Sequence, residues 1–130
     1  MSAHLSPYLF SMVAIGGAVG ASIRYAIAVA LPVFAMGTFP FITLAINLAG
    51  SFLIGLLYGW LARSGGNEAL RVFLGVGILG GFTTFSTFSW EILTLIERRE
   101  ILSVALYIGG SLIGGVLMVA VGYWLSKAAA

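Results

Sequence analysis

Residues 79–91 read LGGFTTFSTFSWE: thirteen positions hold two adjacent glycines, five hydroxyls, three phenylalanines and a glutamate. The sequence on both sides is apolar enough to lie inside a lipid bilayer, where unpaired hydrogen-bonding groups are most costly. Gly80 and Gly81 each weaken a helix by about 1 kcal/mol relative to alanine. The hydroxyls of Thr83, Thr84, Ser86, Thr87 and Ser89 can divert backbone hydrogen bonds into local ones. The stretch therefore predicts a helix broken near its middle. Within a membrane such a break survives only where protein, water or an ion satisfies the freed groups.

The remainder of the chain supplies the membrane setting. Of 130 residues, 61% are hydrophobic and 8% charged, whereas a soluble domain carries about a quarter of its residues charged. Mean hydropathy is +1.13. Such a chain cannot cover its own surface with polar groups, so its solvent is lipid. Four apolar runs, about residues 8–31, 39–62, 70–96 and 101–126, each reach the ~20 residues that cross a ~30 Å hydrocarbon core as helix. The expected architecture is an all-α membrane protein, a single transmembrane domain over 1–130, with its third span broken. The leading MSAHLSPY lacks a basic flank, and the run after it is too long for a signal-peptide core, so that run reads as a retained span. With no cysteine, disulfides and thiol chemistry are excluded. One histidine, His4, and no nucleophile with a base partner leave no catalytic constellation.

The basic residues carry topological information. With four spans, Arg63, Arg71 and Lys127 share one membrane face; Arg98 and Arg99 share the other, joined by Arg24 if it reaches out of span one. Orientation follows the Lys/Arg excess on the cytoplasmic side, and three against two or three is almost no bias. A chain so balanced inserts both ways round, and the two forms then pair antiparallel. The plainer alternative is that a tail residue or His4 tips the balance.

Glycines spaced four apart occur on every span: Gly16 and Gly20, Gly55 and Gly59, Gly77 and Gly81, Gly110 and Gly114. Small residues at that spacing let helix backbones approach closely in lipid, which predicts a tight bundle and an oligomer. Thr43, Asn47 and Ser51 recur at i, i+4, i+8 on one face of span two, and Tyr107 and Ser111 repeat the spacing on span four. Each set suits either a helix-bridging contact or a polar seam. Phe82, Phe85 and Phe88 form an i, i+3, i+6 series. This is core packing or, beside so many hydroxyls, a set of ring edges whose partial positive charge faces an anion. Arg24 reads as an interfacial snorkeller or as an anion-attracting charge at a pore mouth. Glu91 reads as a structural cap or partner, or as a vestibule group. Carbonyls freed at a break ligate cations, and neutral donors bind a small ion weakly enough to release it.

GGAVGASIRY in span one, NLAGSFLIG in span two and GILGGFTTFSTFSWE in span three together resemble the small bacterial fluoride channels, the Fluc or CrcB family. The resemblance runs from about Gly16 to Gly122. It implies an antiparallel, dual-topology homodimer in the plasma (inner) membrane, with two fluoride pores at the subunit interface and passive fluoride export. It implies that Phe85 and Phe88 line the path by their ring edges and that Asn47 donates to the ion beside them. Thr43, Tyr107 and Ser111 would continue the polar track. The carbonyls of Gly80 and Thr83 would hold a structural sodium ion at the dimer centre. Arg24 and Glu91 match, respectively, the family's basic residue in span one and a carboxylate after the hydroxyl run. Phe82 stands where other apolar residues occur and is left as packing; Gly115 stands where some members have serine. The competing expectations are a proton-coupled exporter of the small multidrug-resistance type, which needs Glu91 in a roomy cavity, and a non-transporting assembly subunit.

Overall fold

The computed structural model describes residues 5–31 and 39–129. His4 and the first loop at 32–38 lie outside these residues. Helix α1 spans Pro7–Ala30 and α2 spans Phe41–Ser64. The third span starts as α3, an α-helical turn at Glu68–Leu70 continuing through a π-helical stretch at Arg71–Leu79 into a last α turn at Gly80–Phe82. It resumes as α4, Ser86–Glu97, and α5 spans Ile101–Ala128. Counting α3 and α4 as one element, four helical elements among the described residues are long and apolar enough to cross a membrane. The expected all-α architecture, its four spans and the break in the third are present.

Local chemistry sets the ends. The Ser6 hydroxyl accepts from the Leu9 amide at 3.3 Å with Pro7 in the first turn of α1, a placement where proline's missing N–H costs nothing. Gly65 and Gly66 both take positive φ, 87° and 86°, a conformation open to glycine without strain. They turn α2 into α3, whose start is capped by Asn67 Oδ1 on the Leu70 amide at 3.0 Å. Arg99 adopts φ 59° between α4 and α5. There Glu100 N donates to Leu95 O at 3.0 Å, closing α4 as a Schellman-type end.

The bundle is built from two tight pairs, α1 against α3 and α2 against α5, and both rest on glycine. A methyl group added at Gly16 would lie 2.6 Å from the Phe73 carbonyl oxygen, and one at Gly81 would lie 2.6 Å from that of Gly17. On the other pair, methyls at Gly55 and Gly122 would run into the carbonyls of Val119 and Phe52. Three of the four glycine pairs therefore pack within the chain. The fourth does so only by half: Gly114 meets Leu48, but nothing approaches Gly110.

The glycines at 80 and 81 are not where the helix stops. Both remain helical, and the extended residue is Thr83 (φ −83°, ψ 157°). Backbone thinness at Gly81 serves contact with α1, while the break itself falls where side chains can take over the backbone bonds.

Candidate functional site

The break is paired almost group by group. Thr84 N, which in an unbroken helix would donate to Gly80 O, donates instead to Asn47 Oδ1 at 2.9 Å, and Asn47 Nδ2 donates to Thr84 O at 2.9 Å. One side-chain amide thus reproduces the two-bond exchange of a paired backbone, and this fixes which way the amide points. One Nδ2 proton remains unspent. Thr87 N donates to Thr84 Oγ1 at 3.2 Å, so the Thr83 carbonyl is not used by the helix that restarts. Gly81 O accepts from Arg24 Nε at 3.3 Å. Among these groups Thr84 was missed by sequence reasoning. Its signal was a hydroxyl three residues before an amide that needs a cap.

Beside the break lies a groove of about 320 Å³ lined by Asn47, Gly80, Thr83, Phe85, Phe88 and Ser111, among others. The Phe85 and Phe88 rings are 5.7 Å apart, centroid to centroid. Phe88 is 7% exposed and Phe85 76%, so one ring is set in the chain and the other stands at its open side. Ser111 Oγ is buried with no hydrogen-bond partner. A buried orphan hydroxyl is rare enough to need a reason. Ser51, the third member of the span-two stripe, also lines the groove. No Asp, Glu, Lys or Arg is among the lining residues.

The remaining expected residues form a second cluster on the far side of Phe88. Tyr107 is fully buried and Thr43 nearly so (7% exposed). The Tyr107 ring packs on Phe88 at 4.9 Å and, edge-on, against Phe39 at 5.6 Å. Its hydroxyl donates to Glu91 Oε1 at 3.4 Å, a long bond, and Thr43 lies beside both. The span-two stripe therefore serves two places: Asn47 and Ser51 at the groove, Thr43 at the Glu91–Tyr107 pair. Glu91 is held by a neutral hydroxyl.

A family model described as "CrcB-like protein, Camphor Resistance (CrcB)" matches residues 11–123. The chain belongs to the CrcB family. Curated relatives of this CrcB chain carry the name fluoride-specific ion channel FluC. One from Novosphingobium aromaticivorans is 53% identical over 82% of this chain and 86% of the relative. One from Idiomarina loihiensis is 48% identical over 80% and 81%, and one from Hyphomonas neptunium 44% over 91% and 94%. Their shared name supports the channel expectation and not the coupled exporter.

Arg24, read from the sequence as a snorkeller or a charge at a pore mouth, contacts the backbone of the broken span in this CrcB chain. An arginine costs about 2.5–3.5 kcal/mol at the centre of a membrane helix and less towards its end; Arg24 lies in the last third of α1. Here the guanidinium reaches neither a carboxylate nor the groove lining but the backbone of the broken span.

Proposed function

We propose that this chain forms a fluoride-selective channel that lets fluoride leave down its gradient, a transport function and not an enzymatic one. The observation that carries the reading is the groove beside the break: a lining without formal charge in which an orphan hydroxyl, a spare amide proton and two phenyl rings converge. Fluoride is small and strongly hydrated, so a path for it must replace water's hydrogen bonds at short range without holding the ion too well. The Ser111 hydroxyl and the unspent Asn47 N–H supply donors, and the Phe85 and Phe88 edges supply weak positive potential. Thr43 and Tyr107, behind Phe88, extend the polar track towards Glu91. Glu91 is bound to the Tyr107 hydroxyl and acts in orienting that end of the path.

The groove opens to one side, and Phe85 stands exposed at that opening. A second copy, inserted in the opposite orientation, closes it; the near-equal distribution of basic residues on the two faces supports the antiparallel arrangement in a bacterial inner membrane. Gly80 and Thr83 suit a sodium ion at the centre of such a dimer. The amides that would engage their carbonyls in an unbroken helix, those of Thr84 and Thr87, are taken by Asn47 Oδ1 and Thr84 Oγ1. That leaves hard oxygen ligands facing the partner. A bound sodium would supply positive charge between subunits whose helix halves point carbonyl ends at each other.

The test is efflux from liposomes loaded with fluoride or chloride, followed by ion electrodes with potassium and valinomycin balancing charge. Fast fluoride release, no chloride release, and loss of the fluoride signal in Phe85→Ile are expected. Dimeric protein that releases neither ion would refute the channel.

A further inference from the structure

The structure assigns Arg24 to the broken helix: we propose that it is a positioning residue. Its guanidinium is the standing partner of the Gly81 carbonyl, not a charge offered to passing anions. Three observations converge on this. Gly16, Gly20 and Arg24 follow one another at i, i+4 and i+8 on one face of α1, and that face is pressed into α3. A methyl at Gly20 would run into the Ile78 carbonyl, so α1 and α3 touch backbone to backbone one turn before Arg24. The contact therefore delivers the guanidinium to Gly81, three residues beyond Ile78, where Nε donates to the carbonyl at 3.3 Å.

Second, Gly81 O is a carbonyl that an unbroken helix would have joined to the amide of Phe85. The extended backbone at Thr83 carries that amide away. Third, Phe82 ends the first half of the span, so Gly81 lies at the negative end of that half-helix dipole. This is the place where a cation is favoured within a single turn. Among the described residues Arg24 has no carboxylate within salt-bridge distance, and its side chain is not among those lining the groove. A guanidinium engaged in this way is an internal cap. With Asn47 holding Thr84, it makes the break a property of the single chain, leaving Gly80 and Thr83 as the oxygens that face outward.

The test separates a hydrogen-bond donor from a charge, and its first arm does not depend on the fluoride reading. Gly81–Phe82 is the only Gly-Phe pair in the chain. Carbonyl-13C glycine with 15N phenylalanine therefore isolates the Gly81 carbonyl in solid-state NMR of the full-length protein in lipid. Adding 15N-arginine should show dephasing from a nitrogen at most about 4.5 Å away, given the length of a carbonyl bond. Absence of dephasing overturns the proposal without any substitution. In Arg24→Met the Gly81 signal should move upfield; in Arg24→Gln, which keeps an N–H and loses the charge, it should stay near its original place.

Flux supplies the second arm. A cap predicts that Arg24→Met lowers maximal fluoride efflux by about tenfold or more, the penalty of one misplaced charge-assisted bond. The half-saturating fluoride concentration should be unchanged, with most of the efflux recovered in Arg24→Gln. A rise in half-saturating fluoride of equal size in both variants, with maximal efflux intact, would assign Arg24 to anion attraction instead. If no variant conducts fluoride and neither does the unaltered protein, the channel reading fails. The NMR result still decides the cap.

Discussion

Asn47 does two jobs with one amide, and they cannot be separated by removing it. Its Oδ1 and one Nδ2 proton hold the backbone of Thr84, and its other proton is left over in a side chain that lines the groove. Asn47→Ala would orphan both an N–H and a C=O that are part-buried, at up to about 1–3 kcal/mol for each. Denaturant or thermal unfolding of the detergent-solubilised protein should show a loss of that order along with loss of fluoride efflux. Asn47→Asp should be no milder, because a carboxylate oxygen would then oppose the Thr84 carbonyl. From sequence alone Asn47 was recognisable as a polar residue on a shared stripe with Thr43 and Ser51. Its partner was not. Asn47 and Thr84 are 37 positions apart, and no local pattern says which of five neighbouring hydroxyl residues gives up its backbone. Arg24 shows the same limit: depth in the span was readable, the direction of its side chain was not.

At the scale of the helices, hydrophobic length and composition were enough to place four spans within a few residues, because both are local properties. The break was foreseen for a partly mistaken reason. Gly80 and Gly81 looked like the weak point, yet they stay helical and serve the contact with α1, and the chain leaves the helix at Thr83. Propensity marked the neighbourhood, and long-range hydrogen bonds chose the residue. The glycine pairs were similarly legible as contacts but not as to partner: α1 takes α3, α2 takes α5. Gly20→Ala should therefore destabilise by about 1–3 kcal/mol or more, the cost of overpacking against rigid backbone. Gly17→Ala, with nothing within 4 Å of the added methyl, should be nearly neutral. Comparing the two unfolding midpoints checks the assignment of the α1–α3 seam.

For the whole molecule, the exposed side of the groove and the unoccupied surface at Gly110 are where a single chain looks unfinished. Fluoride conduction on our reading needs a second, inverted copy, and the basic residues permit it by failing to choose an orientation. Replacing Arg98 by Gln and Arg99 by Asn, which tolerates the positive φ at that turn, leaves Arg63, Arg71 and Lys127 on one face almost unopposed. The doubly substituted protein should insert one way round, as read by cysteine labelling of engineered termini from each side. It should also fail to protect a fluoride-sensitive strain. Co-expression with a variant biased the opposite way should restore protection. If the singly oriented protein protects cells alone, the antiparallel dimer is refuted.

The third span contains 30 residues where the first contains 24, yet both must cross the same sheet of lipid. The wide turns at Arg71–Leu79 take up part of that difference, since each closes its hydrogen bond one residue later than an α turn. The third span consequently carries spare chain length within its own turns. A single-residue deletion at Val76 should be absorbed by rewinding those turns more tightly, leaving Thr83 and Asn47 in register. The same deletion at Ile23 has no such reserve: it rotates everything beyond it by about 100° and swings Arg24 away from Gly81. Thermal melts of the two proteins should differ accordingly, the first close to the parent and the second far below it or too unstable to purify. Tolerance to changes in length, which loops usually provide, would here belong to a membrane-spanning helix.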